Sequence, residues 1–77
     1  MQNKNEQMFY QEIAASIRAT REKLGLSQQF IADKLGVSLV EYQQYESAQK
    51  PISIYQMYLF INATQPDLIK GENWPKI

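Results

Sequence analysis

A chain of 77 residues has room for one domain with a modest core, and a formal net charge of zero with a pI near 6.2 gives it no overall basic excess. Cysteine and histidine are both absent, which excludes a disulfide framework, the usual zinc sites, and the commonest nucleophile and general base together. No apolar run approaches the ~20 residues that span a bilayer, and the polar start MQNKNEQ is unlike a signal peptide, so the expectation is a soluble, cytoplasmic protein with no membrane partner.

Residues 1–7 read as a polar tail. A first helix is expected over about 8–24, where Phe9, Ile13, Ile17 and Leu24, with Ala14 between, recur at helical spacing and build one apolar stripe. Its far face carries Glu12, Arg18, Glu22 and Lys23, with Arg18 and Glu22 spaced as an i,i+4 pair. Gly25 ends this helix, because glycine takes the left-handed cap conformation without penalty.

The stretch GLSQQFIADKLGVSLVEYQQYE organises the rest. Ser27 is an N-cap type, and Phe30, Ile31 and Leu35 keep one helical face. Gly36 closes that second helix, Val37 can plug the angle between helices, and Ser38 caps a third over about 39–47. Tyr42 and Tyr45, three apart, mark its inner side; Ser38, Leu39, Glu41 and Gln44 then face outward, with Val40 and Gln43 beside them. Helix, glycine turn and capped helix form the pattern of a helix-turn-helix.

Pro51 biases the preceding loop away from helix, and Ser53 caps a fourth helix over about 54–61, with Tyr55, Tyr58, Leu59 and Ile61 as inner candidates. Asn62-Ala63-Thr64 reads as a break, with Thr64 capping a fifth short helix that carries Leu68 and Ile69 inward and stops at Gly71. Residues 72–77 read as a second tail. The expected architecture is all-α: one compact five-helix domain over 8–71.

Gly25-Leu26-Ser27-Gln28, Leu35-Gly36-Val37-Ser38, and Glu46 followed by Pro51-Ile52-Ser53 resemble, in register, the helix-turn-helix of the lambdoid phage repressors, the Cro proteins and the wider XRE family. The resemblance covers roughly 13–68 and implies a lambda-repressor-like fold. One departure is a segment before Thr64 that is shorter than the family pattern by almost a turn of helix.

The resemblance implies a sequence-specific transcriptional regulator, a repressor type, that inserts its third helix into the major groove of double-stranded DNA. It implies that Gln28 touches a phosphate and buttresses that helix, and that Ser38, Leu39, Val40 and Gln44 meet base edges beside Gln43. A glutamine amide suits adenine N6 and N7, whereas Leu39 and Val40 can read only thymine methyls. Lys50, just after the third helix, is the basic residue best placed for a phosphate, with Arg18, Lys23 and Lys34 farther off. The resemblance also pairs Arg21 with Glu46, where a guanidinium can grip a carboxylate with two bonds.

Such modules bind palindromic operators as homodimers, and the apolar surplus of Tyr55, Met57, Tyr58, Phe60, Ile61, Leu68, Ile69 and Trp74 suits a dimer surface in the C-terminal part. The alternative is a protein-interaction module of the same fold, an antirepressor or antitoxin-like partner that presents Leu39 and Val40 to another protein. The carboxylates are scattered, no glycine-rich phosphate loop is present and no metal spacing exists, so neither an enzyme nor a cofactor or metal is expected.

Overall fold

The structure, a computed structural model, describes residues 4–66. Among these are four helices and no strand: α1 (Lys4–Lys23), α2 (Gln28–Leu35), α3 (Leu39–Glu46) and α4 (Ile54–Thr64). Each of the last three begins on a serine whose hydroxyl accepts a backbone N–H of the first turn, from Phe30, Glu41 and Gln56 respectively, at 3.0–3.1 Å. Ser53 and Gln56 close a full capping box.

The turns follow the same local logic. Gly25 and Gly36 have φ of 70° and 71°, and the next residue in each case donates back to the end of the helix: Leu26 N to Arg21 O at 3.1 Å, Val37 N to Ala32 O at 3.0 Å. The third helix ends the same way without a glycine. Ala48 takes φ 63°, and Gln49 N donates to Gln44 O at 2.9 Å.

The buried core is Ala14 and Ile17 of α1, Ile31, Ala32 and Leu35 of α2, Tyr42 and Tyr45 of α3, and Phe60 of α4. Leu26, Val37, Ile52, Met57 and Leu59 pack against it. The second helix packs against α3 and α4, and α1 lies across α3 and α4. Two eight-residue helices are thereby held by longer ones, which they need because helices this short are marginal alone.

Several sequence expectations are corrected. The first helix starts at Lys4, so residues 4–7 are its first turn rather than a tail; no Gly or Pro interrupts them, and Glu6 complements the helix N-terminus. Phe9 is 55% exposed despite its place on the stripe, at the edge of an open groove that it lines with Ile13, Ile52, Ile54 and Met57. Leu24 is also exposed, in the turn beyond the helix end.

Arg18 does not pair with Glu22: its Nη1 reaches the Glu46 carbonyl at 3.5 Å, while Glu22 lies 3.8 Å from Arg21. Asn62-Ala63-Thr64 is helical, not a break. Thr64 Oγ1 donates back to the Phe60 carbonyl at 2.8 Å, so Thr64 finishes α4, which stops where Pro66 disfavours helix at Gln65. Tyr55 is exposed, Tyr58, Leu59 and Ile61 are half-buried, and Phe60 is the residue α4 buries most fully. The expected fifth helix with Leu68, Ile69 and Gly71, and the tail with Trp74, lie outside the described residues.

Candidate nucleic-acid interface

Burying Tyr42 and Tyr45 turns the opposite side of α3 outward. Val40 is 64% exposed, Gln43 is exposed beside it, and Leu39 and Gln44 are half-buried at the edges of that face. Ser38 is exposed, but its hydroxyl is committed to capping Glu41 N.

A chain of polar contacts fixes this face against the other helices. Arg21 Nε lies 2.6 Å from Glu46 Oε2 and Arg21 Nη2 lies 3.2 Å from Glu46 Oε1, with side chains 12% and 4% exposed. Arg21 Nη1 donates to the Leu26 carbonyl at 2.9 Å, which ties in the turn before α2. Gln28, the first residue of α2, donates from Nε2 to Glu46 Oε1 at 3.0 Å and accepts from Gln43 Nε2 at 3.1 Å. Four side chains from three helices thus form one continuous path from α1 to the outer face of α3.

The charges respond accordingly. Burial alone would raise the Glu46 carboxyl, but Arg21 first, then the nearby Tyr42 hydroxyl and Gln28, outweigh it and hold the group below its ordinary value. The Glu46 carboxylate holds the Arg21 guanidinium above its own. Tyr42 Oη is buried next to them and makes no hydrogen bond of acceptable geometry. Burial first, and the close approach of its hydroxyl to the Glu46 carboxylate second, push its phenol up.

Glu41, the carboxylate on α3's outer side, is not free. The Tyr45 hydroxyl lies 2.6 Å from Glu41 Oε2 and 2.8 Å from Gln56 Oε1, and its one proton goes to the carboxylate as the stronger acceptor. Lys50 Nζ lies 3.4 Å from the same Oε2. The Tyr45 bond, opposed by desolvation and helped by Lys50, holds Glu41 below the ordinary carboxylate value. The most repulsive charge near the face is therefore partly offset, and so is the cation at Lys50.

The expected site residues are distributed as follows. Gln28 and Gln43 join Arg21 and Glu46, Val40 stands on the open face with Gln43, and Lys50 sits at the C-terminal end of α3 with Glu41. Sequence reasoning missed the Gln28–Gln43 bond, the Tyr45–Glu41–Lys50 cluster and the part of Gln56. Only the i,i+4 spacing of Glu41 and Tyr45 signalled any of these. Among the described residues, no group of acidic side chains is arranged to hold a metal ion, and no helix is long and apolar enough to cross a membrane.

Two capped eight-residue helices, joined by a left-handed glycine turn and braced on a helical core, define a helix-turn-helix domain. The chain belongs to the XRE-type helix-turn-helix family: the family model described as Helix-turn-helix matches residues 17–65, from the buried Ile17 to the residue capping α4. No curated protein and no solved structure gives a significant match. DNA-binding regulation is the general class this family defines.

Proposed function

We propose that the protein is a sequence-specific transcriptional regulator of the repressor type that inserts α3 into the major groove of double-stranded DNA. The observation that carries this is the outer face of α3, where exposed Val40 and Gln43 flank half-buried Leu39 and Gln44 on a helix locked by the Arg21–Glu46–Gln28–Gln43 path. Leu39 and Val40 suit thymine methyls, and Gln43 and Gln44 suit base-edge hydrogen bonds. Ser38, the α2 N-terminus at Gln28, and Lys50 lie at the flanks, where phosphates pass in this docking mode.

A homodimer on a palindromic site fits the mode, since two-fold symmetry in the protein matches two-fold symmetry in the operator. Ile54 and Tyr55, 90% and 63% exposed at the start of α4, are apolar surface suited to such a contact. The second reading, a protein-interaction module of the antirepressor or antitoxin-like kind, is favoured by the 64% exposure of Val40 together with zero net charge. Retention on a duplex-DNA column separates the two: elution that shifts with salt supports the regulator, and flow-through at low salt supports the interaction module.

A further inference from the structure

We propose that Gln28 is a positioning residue that holds the Gln43 amide with its oxygen outward, making Gln43 a reader of adenine. The proposal rests on the major-groove reading above and deepens it. It follows from which atoms can donate.

Glu46 is buried and gripped by Arg21 through both carboxylate oxygens. An ionised carboxylate only accepts. The end of the Gln28 amide that lies 3.0 Å from Glu46 Oε1 must therefore be the NH2 group, since the other orientation would set oxygen against oxygen. This leaves Gln28 Oε1 turned towards Gln43, 3.1 Å away, where it too can only accept. Gln43 must then present its own NH2 inward, and its Oε1 is the atom left towards the open face.

The polarity of a buried ion pair is thereby handed through two amides to the surface. Glutamine on a solvated helix chooses either orientation freely; Gln43 does not. Its outward oxygen needs a base-edge donor, and the major groove offers only adenine N6 and cytosine N4. One hydrogen of Gln43 Nε2 remains after the bond to Gln28, and adenine N7 can accept it while cytosine offers no such atom. Guanine, with two acceptors on that edge, meets the oxygen unfavourably. Val40, one turn earlier on the same face, is placed to meet a neighbouring thymine methyl. The site therefore selects an A·T pair opposite Gln43.

The test compares the protein with Gln43→Ala and Gln28→Met in two readouts. In sequencing of duplexes selected from a random pool, the unaltered protein should enrich adenine at one position per half-site. Gln43→Ala should abolish that preference, and Gln28→Met should weaken it roughly five- to tenfold at the same position. The salt slope should stay unchanged in Gln28→Met, because an uncharged amide releases no counterion. In the DNA-free protein, NMR should show the Gln43 side-chain NH2 resonances moving towards solvent-exposed values in Gln28→Met.

Intact adenine preference in Gln28→Met would overturn the proposal, whether or not affinity falls equally on all sequences, and would leave Gln28 a phosphate contact alone. Unmoved Gln43 resonances would overturn it independently of DNA. If the unaltered protein enriches no sequence, the major-groove reading fails first, and the NMR arm alone still decides whether the relay exists.

Discussion

Arg21 and Glu46, 25 positions apart, meet in a two-bond ion pair of 2.6 and 3.2 Å that joins the first helix to the end of the third. Since both side chains are nearly out of solvent, removing one leaves the other charge uncompensated. Glu46→Ala or Arg21→Ala should cost about 3–5 kcal/mol, a large share of what a domain this small has. Urea unfolding followed by circular dichroism measures it. A loss under about 1 kcal/mol would mean that the pair behaves as a surface one.

The same pair sets an acid limit. In the folded protein Glu46 binds its proton more weakly than at the ordinary value of 4.5. Its contribution is fully present above that value and is lost as pH falls through it towards the folded one. Stability should therefore drop on acidification below about pH 4.5, steeply enough to appear as a shift in urea midpoint. An acid arm that is flat down to pH 3 would contradict this assignment.

Tyr42 sets the alkaline limit by the opposite sign. Burial raises its phenol above the ordinary value of 10.0, so the folded state keeps a proton that the unfolded state releases. That contribution is complete below pH 10 and lost as pH rises beyond it. Because the hydroxyl lies beside the Glu46 carboxylate without a hydrogen bond of acceptable geometry, Tyr42→Phe should change stability at pH 7 by no more than about 1 kcal/mol, and should flatten the alkaline arm. Thermal melts from neutral pH to pH 11 provide the check, and a marked destabilisation at pH 7 would show that the hydroxyl has a partner.

Ala48 holds a left-handed conformation that Gly25 and Gly36 occupy in the other two turns. An alanine there carries a Cβ cost of roughly 1–2 kcal/mol that glycine avoids, against a glycine entropy cost of about 0.5–1. Ala48→Gly should raise stability by about 0.5–1 kcal/mol, read as a higher urea midpoint with an unchanged slope. A lower midpoint would place the residue's worth in its half-buried methyl instead.

Much of the fold was legible because it is written in short-range chemistry. Ser27, Ser38 and Ser53 each cap a helix by bonding three residues ahead, and Gly25 and Gly36 supply turns that other residues resist. Tyr42 and Tyr45 declared the inner side of α3 by spacing alone. Periodicity says which face is apolar but not how closely a neighbour packs on it: Phe9 keeps its place on the stripe yet lines an open groove with Ile52, Ile54 and Met57. Thr64 was ambiguous, since a threonine hydroxyl can cap a new helix or bond back to the carbonyl four residues earlier. Ala48 gave no signal, because nothing about alanine announces a left-handed turn. The path through Glu46, Gln28 and Gln43 spans separations of 18 and 15 residues, and only the crossing of α2 and α3 brings those amides together.

The Glu41–Lys50 contact bears on DNA affinity. Glu41→Gln removes a carboxylate from the edge of the proposed interface and frees Lys50, 3.4 Å away, for a phosphate. Binding should strengthen across all sequences, and the dependence of log affinity on log salt should steepen by about one. Fluorescence anisotropy at several salt concentrations measures both. A change confined to one base position would instead mark Glu41 as a base reader.

The insertion of α3 into DNA is tested most directly by selecting bound sequences from a random duplex pool at near-physiological salt. The predicted result is an enriched two-fold motif containing A·T pairs, its half-sites about one helical turn apart, and no enrichment when Val40 and Gln43 are both replaced by Asp. An unenriched pool from the unaltered protein, or the same motif from the doubly substituted one, would contradict it.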